Sequence, residues 1–212
     1  SFSLFRIHLL LGVLALTFIC SAKIAASSGL FFSFEFRSIE YSFMKILILA
    51  LSGIGDALMF TPALKLLRQS LPSAQIDALV MYQGTKEIYK ASPNLNKVIH
   101  FDFLKEGALN SLKFILGLRK KYDVTINVYP SNRKEYNVIN FLLGTKKRVG
   151  VKYLRMNNVN LGWLNNVTVL ENYKIHNVQT NINLIEKLLN KKFSDELAME
   201  IILSDDHNRF AY

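Results

Sequence analysis

The sequence predicts an α/β fold, a Rossmann-like parallel sheet with helices on both faces. Three observations carry that prediction. From Met44 onward, short apolar runs alternate with longer stretches whose apolar residues recur at helical spacing. The first run, Lys45–Leu51 (KILILAL), is continuous rather than alternating, as in a strand buried on both faces. Strands joined through helices of this length form right-handed βαβ crossovers.

Each element follows from its own residues. The first strand, 45–51, is bounded by Ser52-Gly53. The helix after it is read from Ala63, Leu64, Leu66, Leu67 and Leu71, with Lys65, Arg68 and Gln69 on the other side. Thr61-Pro62 reads as an N-cap and a first helical residue, and Leu71-Pro72-Ser73 as the stop. Strands are expected at Gln75–Met81, Lys97–Asp102, Asp123–Val128, Lys147–Val151 and Ala198–Leu203. Between them come a short helix at Gly84–Ala91, an amphipathic helix at Ala108–Lys120 and a helix at Arg133–Leu143. Residues 152–174 read as irregular and Asn-rich. The last helix, Ile175–Asn190, carries Val178, Ile182, Ile185 and Leu189 on one face. No repeat or low-complexity segment appears, and the sequon Asn166-Val167-Thr168 reads as a chance match.

Composition excludes several classes. Half of the 212 residues are apolar, too many for a disordered chain. Cys20 is the single cysteine, so neither a disulfide framework nor a multi-thiolate zinc site can form within the chain. His8, His100, His176 and His207 show no metal-ligand spacing, and no metal site is expected. The net charge of +10 points to an anionic partner (nucleic acid, anionic lipid, or phosphorylated or carboxylated sugar) or to a solubilising basic surface.

Residues 1–43 differ from the rest. They hold eight of the fifteen Phe but only three basic residues, Arg6, Lys23 and Arg37. The run Ile7–Cys20 is shorter than the roughly 20 apolar residues that span a bilayer. Three readings stand: peptide translated from upstream of a true start at Met44, a membrane anchor, or a cleaved signal. The expected division is therefore an apolar N-terminal extension, 1–43, and a Rossmann-like domain, 44–212.

The chemistry-bearing motif is Ser52-Gly53-Ile54-Gly55-Asp56, between the first strand and the first helix. Open α/β sheets bind ligands at the carboxyl ends of their strands. A dinucleotide fingerprint fails, because Leu58 stands at the third glycine position and the second strand ends Val80-Met81-Tyr82-Gln83 without an acid. No Gly-Lys-Ser/Thr follows, so a Walker loop fails too. Asp56 is either a helix-capping carboxylate near the dipole or a general base in the crevice.

Here the residues resemble a family. The run KILILALSGIGDALMFTPALKLLRQSLPSAQIDALV looks like the opening of the heptosyltransferases, glycosyltransferase family 9. Tyr122-Asp123-Val124 through Ser131-Asn132-Arg133-Lys134, the segment Leu143–Gly150, and His176-Asn177-Val178 resemble later family segments in the same order. The resemblance implies the N-terminal, acceptor-binding half of a GT-B glycosyltransferase, with the C-terminal donor domain missing beyond Tyr212. It implies inverting transfer of a sugar from a nucleotide-sugar donor, usually ADP-heptose, to the anionic inner core of lipopolysaccharide. No metal, no cofactor and no nucleic acid are involved. Such work belongs at the cytoplasmic face of the inner membrane.

Carried over by position, Asp56 matches the family's catalytic aspartate. Ser131, Arg133 and Lys134 match its acceptor-side residues, and Ser52, Gly53 and Gly55 join the substrate-binding turn. Arg133 and Lys134 read equally as first-turn residues in solvent. Lys146, Lys147 and Arg148 read as a solvated edge, and His176 as a helix-capping or packing residue. The rivals are a non-catalytic Rossmann-like binding module, a membrane-anchored α/β protein and a Rossmann oxidoreductase.

Overall fold

The computed structural model describes residues 44–130, 133–194 and 198–201. The readings of 1–43, of Ser131 and of residues 202–203 lie outside them. In chain order the elements are β1 (Lys45–Ala50), α1 (Ile54–Ser70), β2 (Gln75–Val80), α2 (Gln83–Lys90), β3 (Lys97–His100), α3 (Gly107–Leu118), β4 (Val124–Asn127) and α4 (Lys134–Leu142). There follow β5 (Lys147–Lys152), a 3-10 turn (Gly162–Leu164), β6 (Val167–Leu170) and α5 (Asn177–Leu189).

All strand pairs are parallel, in the order β3-β2-β1-β4-β5-β6. β1 is central, with Ile48 opposite Ala78 on one side and Ile126 on the other. Both of its faces are buried from Ile46 to Ala50, which is why its sequence is unbroken by polar residues. On one face Leu47, Leu49 and Leu51 pack with Leu79, Met81, Ile115, Tyr136, Ile139 and Leu143, so α3 and α4 cover that side. The pleat turns Ile46, Ile48 and Ala50 the other way. There α1 packs against α5, and Tyr89 of α2 donates its hydroxyl to the Ala57 carbonyl at 3.1 Å.

Several expectations need correction. The first helix begins at Ile54, so Pro62 lies inside it and Thr61 is not its N-cap. Proline has no N–H for the carbonyl four residues back. That carbonyl, Leu58, instead accepts from the Thr61 hydroxyl at 2.8 Å. The pair Thr61-Pro62 is thus a mid-helix compensation. A strand, β6, forms within 152–174, pairing Gly150 with Thr168 and Val151 with Val169. It is only four residues long, three half-buried and one exposed, too short to show a period. Residues 198–201 form no strand. Glu200 instead meets α1, its N–H donating to the Thr61 hydroxyl at 3.1 Å.

The buried stripe of α5 is also turned from the expected one. It centres on Asn181, Ile182, Leu184, Ile185 and Leu188, while Val178 and Leu189 are only half-buried. α3 departs furthest from its expected amphipathic pattern, with Ile115 its one buried residue and leucines facing out. Among the described residues, no helix is long and apolar enough to cross a membrane.

Candidate functional site at the switch of strand order

Strand order reverses between β1 and β4. At such a point the connections leave to opposite faces of the sheet, and a crevice opens beyond the strands' carboxyl ends. The segment 52–56 leaves β1 there, and the segment carrying Arg133 and Lys134 leaves β4 beside it.

Gly53 caps α1 with extended backbone (φ −68°, ψ 179°), and no side chain caps the helix. Neither Gly53 nor Gly55 has a positive φ. A Cβ built on either would meet no atom within 4 Å. These two glycines therefore serve neither backbone strain nor internal packing, and they leave the first turn of α1 bare. Gly84 differs, because a Cβ there would strike the Ile54 side chain.

Asp56 stands in the first turn of α1, its third residue, where the dipole favours a carboxylate. It is half-buried and forms no hydrogen bond or ion pair with a described residue. The capping role by side-chain hydrogen bond is absent, while the dipole contribution stands. Ser52 is half-buried on the strand side of it.

Across the switch point, Arg133 is the exposed N-cap of α4, with extended backbone, and Lys134 is the first helical residue, also exposed. Neither is ion-paired to a described residue. Tyr136 joins the two sides of the switch point. This tyrosine is buried, and its hydroxyl donates to the Leu51 carbonyl at 2.9 Å, tying α4 to the end of β1. Burial pushes the phenol upward; the Arg133 charge opposes that, and Tyr82, Asp56 and Glu135 add to it. Asp56, Tyr82 and Arg133 thus lie within electrostatic range of one hydroxyl. Lys134 does not enter that set.

A second buried group holds the β4 side of the crevice. Asn181 of α5 accepts from the Tyr129 N–H at 2.9 Å and donates to the Tyr129 carbonyl at 3.0 Å. The same amide reaches the Met59 carbonyl of α1 at 3.5 Å. One side chain therefore ties the exit of β4 to α5 and reaches the helix that carries Asp56 only at the limit of a hydrogen bond. Below it, Thr125, Asn127, Asn137, Asn140 and Asn165 form a buried polar network between β4, β5 and α4.

Sequence reasoning missed Tyr136 and Asn181. Tyr136 was accessible from the 136–139–143 spacing, which puts it on the inward stripe next to Arg133. Asn181 was not, because a periodicity count passes over a polar residue. His176 caps α5, its Nδ1 accepting from the Val178 N–H at 3.2 Å. Arg148 is not a solvated edge. It donates to the Leu164 and Thr145 carbonyls at 2.8 and 2.9 Å and lies over the Phe141 ring.

A cavity of about 430 Å³ lies elsewhere, between β6 and α5, lined by residues such as Thr168, Asn183 and Lys187. None of the switch-point residues borders it. Among the described residues, the crevice is the better candidate because it combines bare backbone with charges that no described side chain neutralises. Among the described residues, no cluster of three or more His, Cys, Asp or Glu could hold a metal.

No protein-family model matches the chain. In sequence it is 34% identical over 79 residues to lipopolysaccharide heptosyltransferase 3 of Escherichia coli K12, covering 35% of this chain and 23% of that protein. In fold it superposes on a family 9 glycosyl transferase from Veillonella parvula with a TM-score of 0.64 at 20% identity. That match covers 79% of this chain and 47% of the other. It superposes on Escherichia coli heptosyltransferase WaaC, solved with ADP-2-deoxy-2-fluoro heptose, with a TM-score of 0.62 at 21% identity, covering 73% and 51%. For Escherichia coli ADP-heptose LPS heptosyltransferase II the TM-score is 0.62 at 19% identity, with 79% and 49% covered. The chain thus resembles the heptosyltransferases in sequence and has the fold of about half of their solved structures.

Proposed function

We propose that this chain is the N-terminal, acceptor-binding half of an inverting family 9 glycosyltransferase. The single observation that carries this reading is Asp56, a half-buried carboxylate at the switch point with no partner among the described residues, opposite the basic start of α4. In the reading, Asp56 takes the proton from an acceptor hydroxyl as that oxygen attacks the anomeric carbon of the donor sugar. The new carbon–oxygen bond forms as the bond to the diphosphate breaks, and the nucleoside diphosphate leaves with the electron pair. The configuration inverts, and no metal or cofactor takes part.

Gly53 and Gly55 let the acceptor approach the helix N-terminus, whose free N–H groups suit a negative group. Arg133 and Lys134 meet the acceptor's carboxylates or phosphates, with Ser52 as a hydrogen-bonding neighbour. The donor is a nucleotide sugar, ADP-heptose by the likeness of the named relatives. The acceptor is an anionic glycolipid of the lipopolysaccharide-core type. That places the work at the cytoplasmic face of the inner membrane, with peripheral contact. The match covers about a quarter of the curated relative, and the fold matches cover about half of the solved ones.

The test is Asp56→Asn and Asp56→Ala in the protein expressed with its full native coding sequence. Turnover should fall by about 10²–10⁴, the range for loss of a general base, while acceptor binding stays within a few-fold. Near-normal turnover with an intact fold would refute the assignment. Normal acceptor binding without transferase activity in the wild type would favour the binding module.

A further inference from the structure

The carboxyl ends of β4, β5 and β6 meet in a cluster of tyrosines around one acid. Tyr129 follows β4, Tyr153 follows β5 and Glu171 follows β6, and the strands are parallel, so all three lie at the edge of the sheet that carries Asp56. The Tyr129 and Tyr153 rings are buried, 6.2 Å apart between centroids and inclined at 27°. Glu171 is 7% exposed and forms no ion pair with a described residue. Its Oε2 accepts from the Leu154 N–H at 3.1 Å. Its carboxylate also accepts from the hydroxyl of Tyr173, whose own side is 69% exposed. That hydrogen bond holds the Tyr173 phenol above its ordinary pKa, with the Glu171 charge adding to it and Arg155 opposing.

An exposed tyrosine by itself needs no explanation. A nearly buried carboxylate without a cation does, because taking a charge out of water is costly. Holding the Leu154 N–H requires only a neutral acceptor, so the charge has a use beyond that clamp. An ionised carboxylate accepts about four hydrogen bonds, and the described residues supply two. A carboxylate can only accept, so the Tyr173 proton is turned towards it and the phenol oxygen keeps its lone pairs for a donor from outside. An open ring face thus stands beside oxygen acceptors.

We propose that Tyr173 and Glu171 form a subsite for a sugar ring, which lies on the Tyr173 face and donates its hydroxyls to the phenol oxygen and the carboxylate. A pyranose has the matching surface, with C–H groups on its faces and hydroxyl donors around its rim. Tyr173 is the contact residue, and Glu171 orients its hydroxyl. The inference rests on the acceptor-binding reading for the sugar's part in a reaction. Its test reads binding without turnover, so failure of the Asp56 assignment and failure of this subsite are distinguishable.

The experiment is saturation-transfer NMR of the full chain with the methyl pyranosides of glucose, galactose and mannose, and with sorbitol as an open-chain control. At least one pyranoside should receive transfer at its ring protons, and sorbitol should not. Tyr173→Ala should weaken that binding about tenfold, the loss of a ring contact and a hydrogen bond together. Tyr173→Phe keeps the ring and should weaken it only about threefold. Glu171→Gln keeps an oxygen for the Leu154 N–H, so a purely structural acid would leave sugar binding unchanged. On the proposal this variant weakens binding about threefold and lowers the Tyr173 phenol towards its ordinary value near 10, read from phenolate absorbance. Circular dichroism monitors folding, and if Glu171→Gln unfolds, the two Tyr173 variants decide. Transfer to none of the pyranosides, equal transfer to sorbitol, or wild-type affinity in folded Tyr173→Ala overturns the proposal.

Discussion

Replacing Asn181 by alanine should cost about 2–4 kcal/mol of folding stability. The side chain is fully buried, at 0% exposure. Its amide satisfies both the N–H and the carbonyl of Tyr129, at 2.9 and 3.0 Å. Alanine would leave two backbone groups unpaired away from water, each costing about 1–3 kcal/mol. The 3.5 Å contact to Met59 is at the limit of a hydrogen bond and adds nothing to the sum. Alanine's better helix propensity returns about 0.5 kcal/mol. Asn183→Ala, two residues along the same helix, removes only a contact with the Gln179 side chain and should stay within about 0.5 kcal/mol. Urea titration of both variants with unchanged slopes is the measurement. A loss below about 1 kcal/mol for Asn181→Ala would mean that water replaces the amide, and the reasoning about a dry clamp would be wrong. Asn181→Asp refines the test. It keeps an acceptor for the Tyr129 N–H but buries a charge and loses the donor. Burial raises that carboxyl's pKa, so the variant should recover stability as pH falls and the protonated acid donates again.

Gly55→Ala meets open space inside a helix, so it should raise stability by about 0.5–1 kcal/mol in thermal unfolding while weakening acceptor binding, the opposite sign in the two assays. Thr61→Val should cost about 1–2 kcal/mol by orphaning the Leu58 carbonyl; in a Pro62→Ala background, where a backbone N–H replaces the hydroxyl, that cost should shrink, and a double-mutant cycle reads the coupling. Burial pushes the phenols of Tyr89, Tyr122 and Tyr136 above their usual value near 10, Tyr122 also through its hydrogen bond to Asp77. Their folded-state pKa values exceed the unfolded ones, so their contribution is complete below about pH 10 and is lost as pH rises beyond it. Urea midpoints should fall above pH 10, and absorbance at the phenolate band should show these tyrosines ionising only on unfolding.

Much of the site was legible because it depends on local chemistry. The apolar run 45–51, the break at Ser52-Gly53 and the acid three residues on suffice to put Asp56 at a strand's carboxyl end. The capping role of His176 follows from a side chain reaching its own helix. The misses have physical causes. Pro62 looked like a helix start because a proline's missing N–H is harmless there, and the Thr61 hydroxyl that makes it harmless mid-helix leaves no periodic trace. β6 is held by pairing with β5, a non-local bond that four residues cannot announce. The outward leucines of α3 share a sequence period with inward ones, so only the packed partner distinguishes the two sides.

The sequence by itself determined the alternation of strands and helices, the buried central strand and the bare glycine turn with its carboxylate, since each rests on residues adjacent along the chain. Only the tertiary structure decided that strand order reverses between β1 and β4, that the Tyr136 hydroxyl ties α4 to the end of β1, and that Asn181 ties the exit of β4 to α5. Those are contacts between groups tens of residues apart. Their existence depends on which surfaces the folded sheet brings within hydrogen-bonding distance, and no local spacing encodes that.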